Sequence, residues 1–127
     1  MDFNQGLDIR LVDEDITKML NKVRFRDIHF AWDRYEDKTA VEGLKRYAKH
    51  ATKRVHGALG TVYVLVNFDT TLEQDLERIY RLREMQYDPY VMCFDKPHAS
   101  RTIRRLQRWC NNKMIFKSCE KFEDYKV

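Results

Sequence analysis

The sequence predicts an α/β protein of four parallel βα units, forming either a partial (half) TIM-like barrel or an open parallel sheet flanked by helices. Three observations predict it. Four short apolar runs are each followed by a stretch of helical periodicity. The runs start at roughly 30-residue spacing, the size of one βα unit. The third run, "TVYVLVNF", is almost continuously apolar, which suits a parallel strand covered on both faces. Strands and helices in strict alternation imply a parallel sheet with right-handed crossovers.

The first strand spans Met1 to about Gln5, and a helix follows from Asp13. Ile16, Met19, Leu20 and Val23 recur at i, i+3, i+4, i+7 and so share a face. Asp13 is the expected N-cap, with Glu14 and Asp15 favourable to the helix dipole. The second strand is "DIHFAWD", Asp27 to Asp33. Its helix turns Val41, Leu44, Tyr47, Ala48 and Ala51 inward, and Thr39 with Glu42 fits a capping box at its start. The third strand runs from Thr61 to Phe68, with a helix from Thr70 or Thr71 that buries Leu72, Leu76, Ile79 and Leu82. The fourth strand is "PYVMCF", Pro89 to Phe94, and its helix runs from about Ser100 to Asn111 with Ile103, Leu106, Trp109 and Cys110 inward. The remaining tail has no clear period and is expected to pack across that helix through Ile115, Phe116, Phe122 and Tyr125.

The composition is that of one globular domain, residues 1–127, with 43% hydrophobic and 35% charged residues. No Gly/Ser-rich linker divides it. No apolar run approaches the ~18 residues of a membrane span. No signal peptide opens the chain, so the expected compartment is the cytoplasm. The three cysteines, Cys93, Cys110 and Cys119, are odd in number and widely spaced, which speaks against a disulfide framework and against a local zinc or iron–sulfur motif. The net charge of +4 weakly favours an anionic partner.

Ligands of parallel α/β folds sit at the carboxyl ends of the strands. Each strand here exits into polar residues. The first gives Asn4, Gln5, Asp8 and Arg10; the second gives Trp32, Asp33 and Arg34; the third gives Asn67, Asp69, Thr70 and Thr71; the fourth gives Asp95, Lys96 and His98. Converging at one rim, they have the makings of a small-molecule site. The plainer reading is that βα loops are polar and supply helix caps, and Asp69, Thr70 and Thr71 fit that role. Trp32 is placed to stack on a planar ligand or, equally, to close the core.

The stretches "FNQGLDIRLVDEDI", "IHFAWD", "VYVLVNFDTTLEQDLERI", "PYVMCFD" and "RTIRRLQRWCNNKMIFK" resemble the C-terminal part of radical S-adenosylmethionine (radical SAM) proteins. The resemblance covers nearly the whole chain. It implies that the strands correspond to the third to sixth of a partial (β/α)6 barrel. "NQG" is similar to that family's third-strand turn, often TNG, which brings Asn4 and Gln5 to the rim. By the same resemblance Trp32 and Asp33 stand near the SAM ribose and methionine. Leu65, Val66 and Asn67 pass the adenine, and Met92 to Phe94 touch it through backbone groups. The candidate cofactor-binding set is therefore Asn4, Gln5, Asp8, Arg10, Trp32, Asp33, Leu65, Asn67, Asp69 and Phe94.

One departure limits this reading. The family's C-x3-C-x2-C motif, which binds a [4Fe–4S] cluster, is absent from the sequence. The resemblance thus implies SAM and [4Fe–4S] for a full-length parent enzyme, but no tight cofactor binding, no metal ligands and no catalytic residues in this chain. The expected activity is that of a fragment, inactive by itself. The abrupt start on an apolar strand is read as removal of a cluster-bearing first third.

Two other function classes remain open. In "SRTIRRLQRWCNNK", Arg101, Arg104, Arg105 and Arg108 share one helix face, which could meet nucleic-acid phosphates, although such stripes are more often solvated. Acid–base catalysis by His29, His50, His56 or His98 is the other class: His50 and His56 lie in or near a basic helix end, and His98, nearest the rim, has no Cys, Ser or Asp partner at a telling spacing. His29, inside a strand, is expected to be packed in the core. With part of a barrel present, both sheet edges and the concave face are expected to lack neighbours, favouring a homodimer. No membrane partner is expected.

Overall fold

A computed structural model describes residues 8–23, 28–52, 54 and 57–125. Its elements are α1 (Glu14–Lys22), β1 (His29–Ala31), α2 (Lys38–His50), β2 (Thr61–Val66), α3 (Leu72–Glu84), β3 (Asp88–Cys93), α4 (Arg101–Asn111) and α5 (Lys113–Ser118), with 3-10 turns at Ile9–Leu11, Lys96–His98 and Phe122–Asp124. The described strands form an open three-stranded parallel sheet in the order β1-β2-β3. The first expected strand, Met1 to Gln5, lies outside the described residues, as do Asn4 and Gln5 themselves.

The strands are shorter than the apolar runs suggest. β1 is three residues long, and the Trp32 N–H adds one more rung by donating to the Tyr63 carbonyl at 2.9 Å. β2 stops at Val66 because Asn67 enters the left-handed region, φ 61°. Asparagine tolerates that conformation better than most residues. β3 ends at Cys93, and Asp95 turns at φ 53°. The register aligns Phe30 with Val62 and Val62 with Pro89, then Val64 with Val91.

Those aligned residues form the buried face. In sequential order, right-handed crossovers bring α2 and α3 to the same side. Tyr47 of α2 lies against Phe30 with ring centroids 5.0 Å apart, α3 packs on β2 and β3, and α4 packs on β3. The opposite face carries His29, Tyr63, Leu65, Tyr90 and Met92, all half-buried or exposed. This corrects the expectation that β2 is covered on both faces. Both faces of β2 are apolar in sequence, so the pattern cannot tell a covered face from a bare one.

The outer edge of β3 is closed, contrary to expectation. Even-numbered residues of β3 bond to β2, as in Asp88 N–H to Gly60 O and Phe94 N–H to Val66 O. Odd-numbered groups point away. Pro89 has no N–H, and its carbonyl accepts the Cys110 thiol at 3.4 Å. The Val91 N–H donates to Asn111 Oδ1 at 2.7 Å, while Asn111 Nδ2 donates back to the Val91 carbonyl at 3.0 Å. One asparagine side chain therefore occupies the place of a neighbouring strand, which removes the pairing template that a bare edge offers.

Helix starts follow side-chain chemistry. Asp13, Thr71 and Ser100 cap as their spacing predicts, and Thr71 with Gln74 forms a capping box. At α2, Asp37 rather than Thr39 is the cap. Its carboxylate accepts the Ala40 N–H at 3.1 Å and the Thr39 hydroxyl at 2.8 Å. In α1 the inward residues are Thr17 and Leu20, while Met19 is 59% exposed. The tail forms α5, and Phe116 and Phe122 pack on Trp109 at centroid distances of 4.9 and 5.5 Å. No helix among the described residues is long and apolar enough to cross a membrane.

Between α2 and the sheet lie two buried phenols. Burial pushes Tyr47 up to about 12 and Tyr87 higher still. Tyr87 Oη donates to the Leu44 carbonyl at 2.6 Å, whereas the Tyr47 hydroxyl has no partner among the described residues. Folded values above the ordinary 10.0 mean that stability is complete below pH 10 and lost as pH rises, because the unfolded chain ionises first. The urea midpoint is expected to fall as the pH rises from about 10 to about 12, and Tyr47→Phe to reduce that fall without loss at neutral pH. An unchanged alkaline slope in Tyr47→Phe contradicts this.

Candidate functional site

The carboxyl end of the sheet is organised by one buried charged side chain. Arg78 of α3 is 0% exposed. It donates to the carbonyls of Trp32 and Leu65, each at 2.7 Å, and so ties the ends of β1 and β2 together. Its Nη2 also bonds Asp75 Oδ1 at 2.7 Å, and Asp75 is 1% exposed. Asp75 in turn accepts the Thr70 hydroxyl at 2.6 Å and the Asn67 N–H at 3.4 Å. Within the pair, Arg78 Nε alone has no hydrogen-bond partner among the described residues; the bonds made by Nη1, Nη2 and the Asp75 carboxylate offset the cost of burying the pair. The network holds the β2–α3 loop, in which Asn67 and Asp69 both take left-handed φ, 61° and 56°. Non-glycine residues in that region are held there by their surroundings and recur at functional sites.

Asp75 and Arg78 were legible as a pattern. Positions 75, 78, 79 and 82 stand at i, i+3, i+4, i+7, and all four are buried. The apolar positions Leu72 and Leu76 are only partly so. Two charged residues in the inward stripe signal an internal ion pair.

Of the expected rim residues, Asp8, Arg10 and Asp33 meet. They line one open cleft of about 750 Å³ beside β1, with Ala31, Asp37 and Tyr63 among the other walls. Arg10 grips Asp8 through two bonds, Nε to Oδ1 at 2.9 Å and Nη2 to Oδ2 at 2.8 Å. The hydrogen bond from Arg10 holds the Asp8 carboxyl below its usual range. The turn that carries them is seated on α2. A Cβ on Gly43 would lie 2.4 Å from the Ile9 carbonyl oxygen, so only glycine permits this approach. Arg46 Nε fixes the same turn by donating to the Val12 carbonyl at 2.9 Å.

Asn67, Asp69 and Phe94 stand at the ends of β2 and β3. Phe68 and Phe94 form a pair with centroids 4.7 Å apart, 45% and 49% exposed. Neighbouring strands lie about 4.8 Å apart, so the ends of β1 and β3 are about 10 Å apart. Leu65 lies half-buried on the open face. Trp32 departs from the expected stacking role. It is 1% exposed, with the Arg81 guanidinium 5.5 Å from its ring centre, and belongs to the core.

The histidines behave variously. His29 is not in the core as expected: it lies half-buried on the open face, where its ring bonds the Tyr63 hydroxyl at 2.5 Å. His98 has a carboxylate partner after all: Nδ1 lies 2.8 Å from Asp95 Oδ1, on the surface. His56 lies outside the described residues. Among the described residues no group of three His, Cys, Asp or Glu side chains could hold a metal ion. Cys110 is sealed in the core, where burial pushes its thiol well up, and Cys93 and Cys119 are partly buried elsewhere. The described residues therefore do not fit a [4Fe–4S] cluster. Comparison with models of known protein families, with characterised proteins and with solved structures finds no match.

Proposed function

We propose that this chain forms the nucleoside-holding wall of a radical SAM barrel. The observation that carries the reading is the one-sided sheet. Parallel strands in sequential order, with helices on one face and, among the described residues, a half-buried to exposed aromatic face opposite, are arranged as in the wall of a barrel. The bare face would then be the lumen side, and the four-unit half-barrel would include the segment before Asp8. The segment-by-segment resemblance to radical SAM proteins supports the same reading.

The donor set suits the adenosyl end of SAM. The exposed Phe68–Phe94 pair offers rings to a planar base. The Asp33 carboxylate, exposed in the cleft, can accept hydrogen bonds from a ribose diol. Asn67 contributes an amide beside them, on the loop that Asp75 fixes. A [4Fe–4S] cluster would supply the electron for SAM cleavage. The described residues offer it no ligands, and no step of that reaction is assigned to them. The role left to this chain is to bind and orient the nucleoside, weakly when alone.

Saturation-transfer NMR with SAM tests this. The strongest transfer is expected at the adenine protons, with adenosine competing and methionine not. Transfer centred on the methionine end, or none at millimolar SAM, contradicts the proposal.

A further inference from the structure

We propose that the outward face of α4 binds the phosphate backbone of nucleic acid without reading its sequence. This goes beyond the nucleoside site and does not depend on it. Arg101, Arg104, Arg105 and Arg108 recur at i, i+3, i+4, i+7, while Ile103, Leu106, Trp109 and Cys110 are buried on the other side. The buried stripe fixes the rotation of the helix, so the arginines face out. They span about 10 Å of helix axis, over which one DNA strand presents about three phosphates.

The charges are left for a partner. Among the described residues Arg10, Arg78, Lys18 and Lys113 each pair with a carboxylate, but none of these four arginines does. Two are positioned from behind by neutral groups. Arg105 donates to the Tyr125 carbonyl and lies over the Phe122 and Tyr125 rings at 5.7 and 5.9 Å. Arg104 donates to the Pro97 carbonyl at 3.3 Å. These contacts order the guanidinium groups without neutralising them. Between the four side chains lies an open groove of about 220 Å³ lined by them alone.

Arginine forks match phosphate oxygens in pairs, and the stripe contains no lysine. No exposed aromatic belongs to this stripe; the exposed rings, Phe68, Phe94 and Tyr90, belong to the strands and their ends. Base stacking is therefore not built into the face, and backbone contact is what remains.

Fluorescence anisotropy of two unrelated labelled duplexes over a salt series tests the proposal. Both are expected to bind alike, with log K falling against log salt at a slope of about −3. Arg101→Gln/Arg108→Gln changes the two arginines without hydrogen-bonded partners, so the melting temperature should hold. The affinity should fall by about tenfold or more and the slope flatten by about 2. A flat salt dependence, an unchanged variant, discrimination between the duplexes, or equal competition by polyglutamate overturns the proposal.

Discussion

Arg78→Met is expected to destabilise the protein by about 3–5 kcal/mol, the cost of breaking a buried ion pair by removing one partner. The cost has two sources. The Asp75 carboxylate stays buried, with only the Thr70 hydroxyl and the Asn67 N–H as donors. The carbonyls of Trp32 and Leu65 lose their donor at the ends of β1 and β2. Urea denaturation measures the loss. Adding Asp75→Asn removes the stranded charge, so the double variant should be more stable than the sum of the singles by about 1–3 kcal/mol. Strict additivity would mean that the two side chains do not act as a unit. The same variants loosen the loop that carries Asn67 and Asp69, so weak nucleoside binding should fall with stability.

Trp32→Ala is expected to cost about 3–5 kcal/mol, as for other fully buried aromatic rings. Trp32→Phe should cost much less. Phenylalanine keeps most of the ring volume and removes an indole N–H that has no hydrogen-bond partner among the described residues. Such a buried donor carries a penalty of about 1–3 kcal/mol, which its removal relieves. Because the ring lies in the core, Trp32→Phe should also leave SAM binding unchanged. Loss of binding in a fully folded Trp32→Phe protein would restore the stacking role that the sequence suggests for Trp32.

What the sequence made legible follows from local chemistry. Asp13, Thr71 and Ser100 are readable as caps because a side-chain oxygen at the right offset suffices. The inward stripe of α4 is readable because its four buried positions are apolar and its outward positions are arginines. Asp37 and Thr39 are both capping residues two positions apart, and spacing alone cannot rank them. The structure ranks them through the Thr39 hydroxyl, which donates to Asp37 rather than capping by itself. The stripe of α3 marks Asp75 and Arg78 as inward, but it does not encode what they bond. The carbonyls that Arg78 bonds, those of Trp32 and Leu65, lie 46 and 13 residues away in sequence.

The candidate site was legible in part for the same reason. Asp8, Arg10 and Asp33 come together because the turn at Ile9–Leu11 is seated on α2 beside the end of β1. Closure of the β3 edge by Asn111 was not legible, since an asparagine at a helix end reads as a cap. Its work as a substitute strand depends on the crossing of α4 over β3, which periodicity does not encode.

Amide chemical-shift mapping during a SAM titration tests the central claim most directly. Saturable shifts are predicted at Asp33, Asn67, Phe68, Asp69 and Phe94, with a millimolar midpoint and no comparable change along Arg101 to Arg108. An absence of shifts at these strand ends, or shifts confined to α4, would contradict the nucleoside-wall reading.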